Sequence, residues 1–239
     1  VCREKGVCCV GNFFEQFYDT FIVKSRWTWL LQGLGNTMII TIAAVVLGVV
    51  LGFLIAIIRT THDKTGHLVV PNILCRIYLT VIRGTPVVVQ LLIIYFVIFA
   101  SVPINKLFVA ILAFGLNSAA YVAEIVRSGI MSVDNGQFEA GASLGFSYRR
   151  TMMLIVLPQA FKNVLPALAN EFIVLLKETS VAGYIAINDL TKGGDQIRSD
   201  TYNAFLPLLA VAAIYLVIVM FLTYLVSRLE RRLAKNDRR

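Results

Sequence analysis

The chain has 239 residues, of which 58% are hydrophobic and only 15% charged, and its mean hydropathy is +0.76. A soluble domain carries about 25% charged residues, so an ordinary globular enzyme is excluded. The net charge is +8 with a pI near 9.5, but the basic residues sit at loop edges and in the tail, as in a protein facing anionic lipid rather than nucleic acid.

Residues 1–28 are polar and aromatic, end near Trp27, and show no signal-peptide layout. They read as an extracytoplasmic segment. Residues 27–58, 84–105, 107–123 and 201–227 contain no Asp, Glu, Lys or Arg. An apolar run of roughly 18 residues or more crosses a bilayer core as a helix. The expected class is therefore all-α: a polytopic bundle of about five transmembrane helices over 29–227.

The first span covers about 29–58 and is expected to stop at Arg59 and the polar residues Thr60 to Lys64. A second apolar stretch, 68–101, is interrupted by Pro71, Arg76 and Arg83-Gly84-Thr85-Pro86 and reads as one bent or broken crossing. The third span is 106–129. A polar loop with helical patches fills 130–157, the fourth span is about 160–185, and 186–202 is polar. The last span, 203–227, leads into a basic tail, 228–239. Five crossings place the termini on opposite sides. The side holding the tail carries twelve nearby Lys and Arg against five on the other, so the tail is expected in the cytoplasm and the N-terminus outside.

Cys2, Cys8, Cys9 and Cys75 show no CxxC spacing, so neither a disulfide framework nor a metal site is expected; Cys75 reads as a small buried hydrophobe. Ala44, Gly48, Gly52 and Ala56 recur every four residues, a helix-packing stripe. Ionisable groups inside spans are costly and face a cavity or a partner. In the fourth span Asn163, Asn170 and Lys177 are spaced by seven, as are Glu171 and Glu178, which predicts one polar sector opposite a lipid face of Phe172, Ile173, Leu175 and Leu176. In the third span Asn117, Tyr121, Glu124 and Ser128 share a face. Arg83, Asn117, Tyr121 and Glu171 are the candidate substrate-pathway residues; their mixed charge suits a zwitterion. The alternative is that these groups only satisfy one another, for example Glu171 with Arg83 or Lys177.

The polar loop reads Glu139-Ala140-Gly141-Ala142-Ser143-Leu144-Gly145, then nine residues, then Ile155-Val156-Leu157-Pro158. This resembles the EAA signature of ABC-importer permeases, departing only at Gly141. Glu139, Ala140 and Ala142 favour helix, and Gly145 permits a sharp reversal after it. Arg83-Gly84-Thr85-Pro86 with Gln90, the stretch from Asn117 to Glu124, Pro158-Gln159-Ala160 and Leu176 to Ser180 are similar to the polar amino acid permease branch, whose relatives carry His, Glu, Gln, Arg or opines. The resemblance covers most of 28–230. It implies a dimer with an identical or homologous permease subunit, two ATPase subunits docked through Glu139, Ala140, Gly145, Leu157 and Pro158, and an extracytoplasmic substrate-binding protein. The chain has no GxxxxGK[ST] phosphate loop, so ATP and Mg²⁺ are expected in the partner ATPase, with no enzymatic activity or cofactor here. An ion-coupled secondary carrier using Glu171 and Lys177 is the competing reading.

Overall fold

Trp27 opens a helix that contains neither proline nor, before Arg59, a charged side chain. It continues well past the apolar run. Helix α1 spans Trp27–Thr65. The computed structural model describes residues 13–236; Cys2, Cys8, Cys9 and the end of the basic tail lie outside the described residues. The expectation that α1 stops at Arg59 is corrected: 59–65 contains no breaker, and the helix ends only where Gly66 adopts a left-handed conformation (φ 70°) and its N–H bonds the His62 carbonyl at 2.9 Å.

Helix α2, Val69–Gly84, and α3, Val87–Ile98, meet at a 110° bend, the broken crossing read from Gly84-Thr85-Pro86. Thr85 is extended (φ −123°, ψ 146°), as the residue before a proline prefers. The break leaves carbonyls unpaired where water is scarce. Gln90 satisfies two of them: its Nε2 donates to the Ile82 carbonyl at 2.7 Å, the Thr85 carbonyl at 3.0 Å and the Thr85 hydroxyl at 2.8 Å.

Helix α4, Lys106–Met131, starts where the Asn105 side chain accepts from Leu107 N–H. Its pairing with α1 is the most extensive in the molecule. The small-residue stripe makes that approach possible: Ala44 and Ala56 are fully buried, and side chains of Ser118 and Val122 occupy the space a Cβ would need at Gly48 and Gly52.

Helix α5, Asn135–Ser143, is capped by Asp134. The chain reverses and runs from Tyr148–Thr151 through Met152–Val156 into α6, Leu157–Glu178, without interruption. The expected start of the fourth span near 160 is thus too late, because the helical run that begins at Tyr148 passes through the wider turn Met152–Val156 directly into Leu157 and Pro158. Beyond Thr179–Ile185, a short helix α7, Leu190–Thr201, occupies the segment read as a polar loop. Helix α8, Phe205–Asn236, carries the helix into the basic tail.

Among the described residues there is no strand. Four helices are long and apolar enough to cross a membrane, or five crossings if the bent pair counts as one. One core gathers Ile40, Leu91, Phe114, Leu175 and Ile185; a second, at the end where α5 packs, gathers Val122, Val126, Val156, Ala160 and Val164. The lipid face assigned to α6 is therefore corrected. Leu175 and Leu176 are fully buried and Ile173 nearly so, because the apolar side of α6 packs inside the bundle while Asn170 and Lys177 are exposed. The broad exposed apolar surface lies elsewhere, for example on α8 at Leu216, Val217, Met220 and Phe221. Cys75 is partly exposed rather than buried.

Candidate functional site

Two features stand out, a polar cavity in the spanning region and a protruding hairpin. The cavity, about 460 Å³, is lined by Arg83, Tyr121, Glu124, Ser128, Asn163 and Glu171 among others. Arg83 closes α2 at the broken crossing, and the break exposes its side chain. Its guanidinium carbon lies 5.8 Å from the centre of the Tyr121 ring, within cation–π range, and its Nη1 is 3.9 Å from Glu124 Oε1. The same Glu124 oxygen accepts a hydrogen bond from Arg59 of α1. One turn further along, Arg127 meets Asp63 at 3.1 Å, so α1 and α4 are tied by two ion pairs of opposite polarity.

Glu171 is buried and accepts from Ser118 Oγ at 3.0 Å. Among the described residues it pairs with neither Arg83 nor Lys177, since Arg83 turns to Glu124. Asn117 does not reach the cavity wall: it is buried and donates to Glu178 at 3.1 Å. Three of the four pathway candidates are thus brought together and Asn117 lies deeper in the bundle. Glu124 and Arg59 were missed as site residues. Glu124 had the signal of an ionisable group within an apolar span, whereas Arg59 read as the end of one.

The hairpin is formed by α5 and the start of α6. Gly145 has φ +74°, and Phe146 N–H bonds the Gly141 carbonyl at 3.0 Å while Gly145 N–H bonds that of Ala142 at 2.9 Å. This paired closure is a Schellman motif, which needs a residue tolerant of the left-handed region. Glu139, Ala140, Leu144, Gly145, Leu157 and Pro158 are all exposed, Leu144 at 70%. Gly141 faces inward instead. A Cβ there would lie 2.5 Å from Thr151 Oγ1 and 2.6 Å from its Cγ2, so the departure from the EAA pattern is matched by a buried threonine opposite. Phe138 and Tyr148 stack at 5.9 Å across the hairpin.

At the opposite end, α7 is fixed to the bundle. Asp189, fully buried, caps α7 by accepting from the Thr191 and Lys192 N–H groups. Burial pushes its carboxyl above the ordinary value. Arg26, buried, donates to Asp200 at 2.6 Å and to the Asp19 carbonyl at 2.6 Å, holding the Asp200 carboxyl below the ordinary range. Asp195 is lowered likewise by hydrogen bonds from Lys192 and Arg198.

A model of the family described as "Binding-protein-dependent transport system inner membrane component" matches residues 48–235. The arginine transport system permease protein ArtQ of Bacillus subtilis (strain 168) is 38% identical over 212 residues, covering 87% of this chain and 94% of that protein. The glutamine transport system permease protein GlnP of Escherichia coli (strain K12) is 35% identical, covering 85% and 92%. A crystal structure of an amino acid ABC transporter with histidines has a chain 40% identical to this one, with a TM-score of 0.81 and coverage of 89% and 98%. An inward-facing MetNI methionine ABC transporter matches at 18% identity and a TM-score of 0.72, a likeness of fold.

Proposed function

This chain belongs to the family of binding-protein-dependent inner membrane transport components, and from that membership we propose that it is the subunit through which an ATP-driven importer moves polar amino acids. The observation that carries the reading is the hairpin: a knob, closed by Gly145, exposing Glu139, Ala140 and Leu144 on a bundle that carries an open cleft lined by charged residues. Residues 29–227 form the permease domain. The N-terminal segment lies outside, and the tail and hairpin lie in the cytoplasm, following the Lys and Arg distribution.

In this reading two ATPase subunits, which hold ATP and Mg²⁺, grip the hairpins of two permease subunits at Glu139, Ala140, Gly145, Leu157 and Pro158. A loaded binding protein docks at the opposite end. ATP-driven closure moves each hairpin as a body, and α6, continuous with it, carries that motion to Glu171 at the cavity. Arg83 receives the carboxylate of the amino acid, Glu171 its ammonium or a cationic side chain, and Tyr121 offers an apolar face. Asn117 holds Glu178 and thereby the wall behind them. Selection lies mainly in the binding protein, since a ligand shifts a two-state equilibrium only through its differential affinity. Uptake of labelled arginine and glutamine by cells expressing the full transporter tests the proposal. Loss of uptake on ATP depletion, with resistance to a protonophore while ATP is maintained, is expected. Uptake that collapses with the protonophore and survives ATP depletion contradicts it and favours an ion-coupled carrier.

A further inference from the structure

Glu124 carries a role beyond those assigned above. Its carboxylate sits between two guanidiniums that differ in kind. Arg59, whose side chain is 13% exposed, donates a direct hydrogen bond to Oε1. Arg83, 46% exposed, approaches the same oxygen only to 3.9 Å, beyond the roughly 2.7–2.9 Å of a charge-assisted hydrogen bond. Arg83 is thus offset in charge without spending its N–H donors, and both residues line the cavity. Arg59, which does not line it, fixes the carboxylate from behind.

We propose that Glu124 is a counter-carboxylate built into the cavity: clamped by Arg59, it offsets the charge of Arg83 in the empty site and competes with the carboxylate of an arriving amino acid, so that the permease binds weakly and releases readily. The inference rests on the preceding reading of Arg83. A carboxylate beside a binding cation repels an arriving anion and so lowers the cation's affinity for it, and an importer must bind its cargo loosely enough to let it go. Arg59 tunes the site without touching cargo, because it decides where the competing oxygen stands.

The test uses the purified permease–ATPase complex without ATP and compares the affinity for L-arginine with that for L-arginine methyl ester. The ratio isolates carboxylate recognition and is blind to a uniform loss of folded protein. Wild type is expected to prefer the acid modestly. Glu124→Gln is expected to raise that preference about tenfold, the scale of one charge-assisted interaction. Because Glu124→Gln strands a largely buried Arg59, the apolar pair Arg59→Met/Glu124→Leu is measured beside it; replacing a buried ion pair by apolar residues preserves folding, and the same rise is expected. A ratio unchanged or lowered in both variants overturns the proposal. Arg83→Gln separates the two levels: if it leaves the acid preference intact, the reading of Arg83 as carboxylate receptor falls. If it abolishes the preference while both Glu124 variants keep the wild-type ratio, only the counter-carboxylate inference falls.

Discussion

Gly141→Ala is a one-methyl change whose outcome the structure determines. Alanine in place of glycine within a helix gains about 1 kcal/mol of propensity. Against it stands the contact with Thr151, at 2.5 Å to Oγ1, 2.6 Å to Cγ2 and 3.1 Å to Cβ. Thr151 is buried and β-branched, so it cannot swing its two outer atoms away together. Overpacking of this kind costs about 1–3 kcal/mol, leaving the hairpin destabilised by about 0–2 kcal/mol or splayed from α6. Thr151→Ala removes both outer atoms at a cost of about 1 kcal/mol for the lost burial, and the alanine at 141 then fills the space. The double variant should therefore dock better than the sum of the singles by about 1–3 kcal/mol, the coupling expected of residues in contact. The assay is the fraction of ATPase retained by the tagged permease in mild detergent, where 1.4 kcal/mol is tenfold in the docking equilibrium. Full retention in Gly141→Ala, with strictly additive double-variant behaviour, would refute the reasoning.

Other consequences follow from single positions. Gly145→Val forces a β-branched residue into the left-handed region at about 1–2 kcal/mol, with no atom within 4 Å to blame for a clash; ATP hydrolysis should persist while uptake falls, and Gly145→Asn, which tolerates that conformation, should retain coupling. Glu171→Gln should reduce uptake of arginine more than of glutamine, and equal losses would make Glu171 structural only. Asp189 is predicted to give a pH slope: its raised carboxyl binds a proton more readily folded than unfolded, so stability is lost as pH rises from the ordinary 3.8 through the raised value. Asp189→Asn keeps a cap and removes that contribution to the slope, leaving the opposite one from Asp195 and Asp200, whereas Asp189→Ala costs about 1 kcal/mol at the α7 terminus, both readable by thermal unfolding of the complex across pH.

The bundle and the hairpin were legible in the sequence because apolar runs and the spacing from Glu139 to Pro158 are local signals. Helix ends were less so. Arg59 marks the end of an apolar run, not of hydrogen bonding, and α1 continues to Gly66 because only there does the backbone turn. The buried side of α6 was misread for a different reason: Leu175 and Leu176 are as apolar in a protein interior as in lipid, and hydropathy alone does not separate the two solvents. Asn117 and Tyr121 share a helical face, yet only Tyr121 opens on the cavity, since Glu178 closes over Asn117 one turn away. Such distinctions depend on how helices distant in sequence cross, which no local pattern contains.

The central claim is that the hairpin is where an ATPase subunit takes hold. Ser143 is exposed on it, and Ser143→Cys in a chain whose native cysteines are replaced by alanine gives a single crosslinking handle. Isolation of the crosslinked chain from its native membrane should yield an ATPase subunit, and that adduct should diminish when Gly145→Val is added. A crosslink that captures no ATPase, in membranes where ATP-dependent uptake is active, contradicts the account.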